Sequence, residues 1–152
     1  MELQLTLDGG ANSPFGVKVF AAIDGREETV IRYEPQTQEL VIDFIHSSAS
    51  GPVSILAFDD QHYDPSKDIL KQFTQAVTAQ RAPLVLGKDE TLNLRIFIDR
   101  CIIEVFANER QVVTQVVYPE LETSNHVKVF SGDEALKVTH IRSWQMAQTN
   151  AY

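Results

Sequence analysis

The sequence predicts an all-β protein, a two-sheet antiparallel β-sandwich with at most one short helix. Apolar and polar residues alternate with a period of two through most of the 152 residues, as in half-buried strands. The alternating segments are short and number roughly eleven, with turn-forming residues between them, which favours a sandwich or barrel. Neither a repeat nor a shift in composition divides the chain, so we expect a single domain over 1–152.

Composition limits the kinds of partner that we expect. The formal net charge is −8, and such a surface repels phosphate backbones, which argues against nucleic acid. No segment approaches the ~18 consecutive apolar residues of a membrane span, and the first residues lack the pattern of a secretory signal. Cys101 is the only cysteine, which excludes an intramolecular disulfide. A lone thiol is more typical of a reducing, cytoplasmic compartment.

The first half of the chain reads as strands separated by turns. Alternating apolar residues predict strands over 3–7, 17–23, 29–33 and 40–44, and a short strand over 53–58. Asp24-Gly25 favours a hairpin turn between the second and third strands. Loops rich in Gly, Ser and Pro cover 9–14 and 47–52.

One segment departs from the alternation. Its apolar residues lie at helical spacing: Ile69, Leu70, Phe73, Ala76 and Val77. Asp64-Pro65 precedes them, and Asp as N-cap with Pro in the first turn is a helix start signal. We therefore predict a short helix over about 65–77. Strands follow over 92–98, 101–107, 111–118, 127–131 and 135–146.

The segment from Leu92 to Tyr118 indicates a meander of hairpins. A two-residue turn at Asp99-Arg100 pairs Ile98 with Cys101, Ile96 with Ile103 and Leu94 with Val105, all on one apolar face. The other face then pairs Arg95 with Glu104, an opposite-charge pair. An odd-length turn would place Glu104 on the apolar face, so the pattern favours an even length.

A second two-residue turn at Asn108-Glu109 continues this meander. It adds Val112, Thr114, Val116 and Tyr118 to the apolar face. Trp144 shares the strand parity of Val138, which favours a core position. The predicted core therefore contains Leu94, Ile96, Ile98, Ile103, Val105, Val112, Val116 and Trp144.

The face opposite this core also carries large apolar residues. They are Phe97, Ile102, Phe106, Val113 and Val117. Exposed apolar clusters rimmed by polar groups mark interaction surfaces, so this face is a candidate docking or self-association surface. The alternative is that the 65–77 helix covers it within the domain.

The segment LRIFIDRCIIEVFAN, from Leu94 to Asn108, followed by Val117-Tyr118-Pro119, resembles a family signature. The resemblance is to the C-terminal β-sandwich of glycoside hydrolase family 32, the invertases, fructan hydrolases and related β-fructofuranosidases. Leu40 to Asp43, Phe15 to Val17 and Ile141 to Met146 agree with it. The matching motif residues are Asp43, Arg95, Asp99, Glu104, Phe106 and Asn108. Cys101 stands where the family usually has serine, and Glu109-Arg110 where a glycine is common.

The resemblance implies a concanavalin-like jelly roll and a non-catalytic role. Family members cleave with three acidic residues on a five-bladed propeller ahead of the sandwich, in W-M-N-D-P-N-G, R-D-P and E-C motifs. None of these occurs here: the only Trp is Trp144, Tyr63 precedes Asp64-Pro65, and Arg100 precedes Cys101. We expect no catalytic residues and no enzyme activity in this chain, and we expect a catalytic propeller domain or a second copy as partner.

The sequence gives little support for a metal, cofactor or catalytic site. The four histidines lack metal-ligand spacing, and no phosphate- or dinucleotide-binding loop occurs, so we expect neither metal nor cofactor. Asp99 and Glu104 point to different faces in the predicted register, which argues against a pair of catalytic carboxylates. The alternative function is a carbohydrate-binding module for sucrose- or fructan-type sugars. Tyr63 and Trp144 are then the candidate sugar contacts.

Overall fold

The computed structural model describes residues 1–58 and 62–147. Their strands are β1 (Glu2–Asp8), β2 (Phe15–Ala21), β3 (Thr29–Glu34), β4 (Glu39–Asp43), β5 (Ile55–Phe58), β6 (Phe73–Val77), β7 (Ala79–Pro83), β8 (Leu92–Asp99), β9 (Ile102–Ala107), β10 (Gln111–Val116), β11 (His126–Ser131) and β12 (Lys137–Trp144). A 3-10 turn over Ile69–Gln72 precedes β6. The last residues of the predicted domain, 148–152, lie outside the described part of the chain.

The strands form two five-stranded antiparallel sheets. Sheet A has the order β10-β9-β8-β1-β12, and sheet B has the order β11-β2-β3-β4-β7. A separate two-stranded sheet pairs β5 with β6. The predicted fold class, an all-β two-sheet sandwich, is confirmed. Among the described residues, no helix has the length and hydropathy needed to cross a membrane.

The core lies between the two sheets. Leu3, Leu5 and Leu7 of β1 point into it, as their alternation predicts. Sheet B supplies the opposing residues, among them Val17, Val19, Ile31, Leu40 and Ile42. Full burial of one such side chain contributes about 1.5–3 kcal/mol, so the period-two pattern is the main source of stability.

The β8–β9 hairpin has the predicted faces but a different register. Ile98 pairs with Ile103, Ile96 with Val105 and Leu94 with Ala107, so the predicted pairs are wrong by two residues. The two turn residues are Arg100 and Cys101, and Arg100 adopts a φ of 54°. A shift of two keeps every side chain on its face. The predicted core residues of these strands therefore stay inside, while the turn leaves Cys101 exposed.

The predicted register of the β9–β10 hairpin is wrong by one residue, so the inward and outward faces of β10 are exchanged. Val113 pairs with Val105, and the core buries Val117, so neither belongs to an exposed docking face. Val112 and Val116, predicted in the core, are 51% and 42% exposed. Tyr118, assigned to the same apolar face, is 49% exposed.

The cause of this exchange is the length of the turn. Residues 108–110 form a three-residue connection, in which Asn108 and Glu109 both have positive φ, 49° and 54°. Arg110 N donates to Ala107 O at 3.0 Å. Valines occupy both faces of β10, so the apolar pattern alone fits either register.

The predicted helix over 65–77 is wrong. The Asp64 carboxylate accepts from Ser66 N at 3.0 Å in a local turn and starts no helix. Asp68 caps the short 3-10 turn by accepting from Leu70 N at 3.0 Å. The chain then continues as β6, in which Val77 pairs with Ile55 and both pack against the core.

Trp144 lies outside the core, contrary to prediction. It pairs with Glu2 at the end of β12, an edge strand, and is 41% exposed. A register irregularity between Thr6 and Leu7 separates it from Val138, which opposes the inward-facing Leu7. An inserted residue reverses the alternation along a strand, so parity with Val138 does not place Trp144 inside.

A buried carboxylate joins three loops at the end of the sandwich where β2 ends. Glu27 is fully buried, and it accepts hydrogen bonds from Ala49 N at 3.0 Å, Glu120 N at 2.7 Å and Leu121 N at 3.1 Å. Burial raises the pKa of Glu27, but the nearby Ser124 hydroxyl and these N–H groups outweigh burial and hold the pKa below its usual value. The ionised carboxylate therefore fixes the loops.

The register of β10 is tested by a pair of adjacent substitutions. Val117→Asp places an unpaired carboxylate in the core and should lower the free energy of unfolding by about 4 kcal/mol. Val116→Asp faces solvent and should cost about 1 kcal/mol. Thermal melting should show a drop in Tm of roughly 10 °C for the first and a few degrees for the second. The reverse order would support the register of a two-residue turn.

Glu27→Gln tests the buried carboxylate. The variant should lose about 2 kcal/mol at neutral pH, since hydrogen bonds to a charged group are worth about 1.5–3 kcal/mol. Because the folded-state pKa is lowered, the stabilisation is present above the unfolded pKa of about 4.3 and is lost as the pH falls through the folded value. Urea unfolding at about pH 7, 5 and 3 should therefore show a steeper acid loss in wild type than in the variant. Equal slopes would contradict this role.

Candidate docking face

The side of sheet A that points away from sheet B is called here the outer face. Across the sheet, one row of this face contains Thr114, Glu104, Phe97, Glu2 and Trp144. The next row contains Val112, Phe106, Arg95, Gln4 and Arg142. Strand alternation fixes both rows, since every second residue of each strand points outward.

Apolar side chains concentrate on β8, β9 and β10 of this face. The rings of Phe97 and Phe106 meet edge to face, with centroids 5.8 Å apart. Ile102 and Phe106 are 42% and 36% exposed. With Val112 and Val116, which the three-residue turn places outside, these five residues form the outer-face cluster. The segment predicted to cover this cluster does not do so, because Ile102, Phe106, Val112 and Val116 remain exposed. Leu70 of that segment is itself 75% exposed.

Arg95 and Glu2 form an ion pair beside the cluster. Arg95 Nε donates to Glu2 Oε1 at 2.6 Å, and the guanidinium lies 4.8 Å from the centre of the Phe97 ring. The hydrogen bond from Arg95, with a second one from Gln4, lowers the pKa of Glu2 below its usual value. The predicted partner Glu104 instead lies opposite Phe97. Glu2 was not identified from the sequence as the partner of Arg95, because the two residues are 93 positions apart and meet only through the pairing of β1 with β8.

A groove of about 580 Å³ runs along the same face. The Phe97 and Phe106 rings line it, and polar residues of β1 and β12, such as Gln4 and His140, line it as well. On its floor, Thr6 Oγ1 donates to Asn93 Oδ1 at 2.8 Å. Aromatic residues and arginine are enriched in protein–protein interfaces, and Phe97, Phe106 and Arg95 all line this groove.

Asn108 ties the β9–β10 turn to the loop before β8. Its side-chain amide donates to Glu90 Oε1 and to Thr91 O, both at 2.8 Å, and its Oδ1 accepts from Asn93 N at 2.9 Å. The Asn108 side chain thus bonds three groups, while its own backbone has a positive φ of 49°. The motif asparagine therefore has a structural role.

Two further motif residues, Asp43 and Asp99, lie at the ends of strands. Asp43 accepts from Arg32 Nη1 at 3.0 Å and from Ile45 N at 3.2 Å, which fixes the end of β4. Asp99 is the last residue of β8, one position before the turn. In the described part of the chain the Asp99 carboxylate has no hydrogen bond.

The candidate sugar contacts lie apart from one another. Trp144 stands on the outer face at the edge of sheet A, and Tyr63, 50% exposed, lies between β5 and β6. Trp144 does not line the groove. Within residues 1–58 and 62–147, no group of three or more His, Cys, Asp or Glu side chains could hold a metal ion.

Comparison with known proteins identifies the family to which this chain belongs. The family model for the glycosyl hydrolases family 32 C terminal matches residues 1–145. The chain belongs to the family 32 C-terminal domains. This family 32 domain is 29% identical, over 144 residues, to an acid beta-fructofuranosidase 2, vacuolar, of a Rosa hybrid cultivar. It is 28% identical, over 148 residues, to beta-fructofuranosidase, insoluble isoenzyme 6, of Oryza sativa subsp. japonica.

The matches cover the family 32 domain almost completely but only a small part of each relative. They cover 93% and 91% of this chain, and 20% and 22% of the two relatives. The chain therefore spans about a fifth of the length of the curated relatives it matches. The crystal structure of a fructosyltransferase from A. japonicus has the same fold, with a TM-score of 0.67 at 19% identity, over 92% of this chain and 21% of the other. The family 32 domain corresponds to the C-terminal part of these proteins, not to their catalytic part.

Arg95→Ala tests the ion pair on the outer face. The pKa of Glu2 should rise toward its usual value, because the hydrogen bond from Arg95 is the largest cause of its lowering. The measurement is an NMR titration of the Glu2 side-chain carboxyl carbon. Arg110→Ala is the matched control, since Arg110 pairs with Glu90 and should leave Glu2 unchanged. An unshifted Glu2 titration in Arg95→Ala would contradict the pairing.

Proposed function

We propose that this domain is a non-catalytic accessory module that docks on a β-fructofuranosidase-type catalytic domain and stabilises it. The observation that carries the proposal is the outer-face cluster, in which aromatic and branched apolar residues are exposed side by side. Exposed contiguous apolar surface on a soluble domain marks an interaction site. Membership in a family of C-terminal domains supplies the kind of partner, an N-terminal catalytic domain.

The geometry of the face supports docking in three ways. The face is a regular sheet surface, so its side chains are held by paired strands on a rigid scaffold. The Phe97–Phe106 edge contact pre-orders two rings, which reduces the entropy lost on binding. The Arg95–Glu2 pair lies at the rim, where charged groups set orientation more than affinity.

The corrected register favours this proposal. The three-residue turn removes Val113 and Val117 from the predicted docking residues and puts Val112 and Val116 in their place. Val112 pairs with Phe106 and extends the cluster to the edge strand β10. The face thus keeps apolar residues on all three strands, with the Glu104–Thr114 pair lying between Phe106–Val112 and Ile102–Val116.

The test uses a family 32 catalytic domain expressed without its own C-terminal domain. Added to it, the family 32 domain should form a one-to-one complex in sedimentation and raise the Tm of the catalytic domain, because a ligand that binds only the folded state stabilises it. Phe97→Ser combined with Phe106→Ser should weaken the complex at least tenfold, as buried aromatics dominate interface energies.

Val85→Ser is the matched control, since Val85 is 58% exposed but lies in the loop after β7. This variant should bind like wild type. A double variant that binds as tightly as wild type would exclude the outer face. Wild type that neither binds nor stabilises the catalytic domain, and that stays monomeric on concentration, would overturn the proposal.

The second candidate function is carbohydrate binding. The exposure of Trp144 and Tyr63 favours it by residue type, because aromatic faces pack against sugar rings. Trp144 lies on the edge strand of sheet A, however, whereas Tyr63 lies in the segment between β5 and β6, and neither residue lines the groove of the outer face. The outer-face cluster, with its five apolar residues on three neighbouring strands, is the stronger observation.

A further inference from the structure

A second cavity, called here the end cavity, opens at the end of the sandwich opposite Glu27. Its volume is about 410 Å³, and it lies between the loop after β1, the β3–β4 turn and the loop after β7. It shares no lining residue with the groove of the outer face. A ligand here would therefore not compete with a partner docked on sheet A.

The floor of the end cavity is aromatic and carries a hydroxyl that solvent in the cavity can reach. Phe15 and Tyr33 meet at a centroid distance of 5.7 Å and an angle of 64°, and Tyr33 is only 5% exposed. In the part of the chain that the structure describes, the Tyr33 hydroxyl has no hydrogen-bond partner. The hydroxyl is not fully buried, so solvent reaches it from the cavity that Tyr33 lines. A small molecule that enters the cavity can therefore form a hydrogen bond with it.

The rim of the end cavity carries polar side chains without partners in the described part of the protein. Gln38, Lys88 and Asp89 line the cavity, and their side chains make no hydrogen bond or ion pair with the described residues. Glu90 contrasts with them, because its carboxylate accepts from Gly87 N at 2.8 Å and binds Arg110 Nη2 at 2.7 Å. An amide, an ammonium, a carboxylate and a phenol thus provide donors and acceptors together.

This chemistry selects a neutral, hydroxyl-rich ligand. The charges of Lys88 and Asp89 offset each other, and Asp8 at the cavity adds a negative charge that disfavours an anion. The described residues hold no cluster of metal-binding side chains. The volume lies within the range of small-molecule sites, about 300–1,000 Å³, which combine an apolar surface with a few polar groups. We propose that the end cavity binds a small neutral saccharide, with the Tyr33 hydroxyl as a hydrogen-bond partner on the cavity floor.

Isothermal titration calorimetry on the full chain tests this proposal with fructose, glucose and sucrose as probes, and with inorganic phosphate as an anionic probe. At least one saccharide should bind, and phosphate should give no binding heat. Tyr33→Phe should weaken that saccharide by about two- to tenfold, the usual worth of one neutral hydrogen bond. Its Tm should be unchanged, because the hydroxyl makes no hydrogen bond with the described part of the protein. Asp89→Asn should also weaken binding. Asparagine is compatible with the φ of 64° at this position, so the substitution should not strain the backbone.

Tyr118→Phe is the matched control, since Tyr118 is 49% exposed and lies beside Cys101 at the other end of β8. It should leave the affinity unchanged. The absence of binding by all three sugars, equal affinity in Tyr33→Phe, or saturable binding of phosphate at the same site would each overturn the proposal. The Phe97→Ser, Phe106→Ser variant should keep its saccharide affinity, so failure of this proposal and failure of docking are distinguished.

Discussion

The architecture depends on the pairing of β1, the first strand of the chain, between β8 and β12. Leu3 pairs with Ile96 on one side and with Ser143 on the other, so the first strand of the chain joins β8 to β12 within sheet A. Without β1, sheet A would divide into the β8–β9–β10 meander and a single strand. Such non-local antiparallel contacts reward the chain only after a long loop has closed. The same strand supplies Leu3, Leu5 and Leu7 to the core and Glu2 to the outer face, so β1 couples the interior of the sandwich to its candidate docking surface.

The extent to which the sequence predicts this structure differs between the two hairpins of sheet A. In β8 and β9 only one face is continuously apolar, and the inward positions Ile96 and Ile103 were predicted even though the pairing is shifted by two residues. In β10 the sequence QVVTQVV places valine on both faces, and the length of the turn decides which side is buried. That length depends on left-handed backbone at Asn108 and Glu109, which a hydrophobic pattern does not encode.

Two further errors have local physical causes. The segment 65–77 has helical spacing of apolar residues. Val77 nevertheless lies in strand β6, where it packs against the core, so tertiary packing overrides the local helical preference. Trp144 is displaced to the outer face by the irregular register near Thr6, a feature without a signature in residue type. For the candidate sites, sequence patterns located Phe97 and Phe106. They did not reveal the Glu2–Arg95 pair or the end cavity, which form only when distant segments meet.

Cys101, exposed in the β8–β9 turn, gives this domain a single chemical handle. A maleimide dye would attach at one position without any engineered cysteine, because the chain has only this thiol. The adjoining Ile102 belongs to the outer-face cluster, so the dye would sit at the border of that surface and sense the change in polarity when a partner covers it. Fluorescence from one label could thus follow association in real time, with the wild-type sequence unaltered.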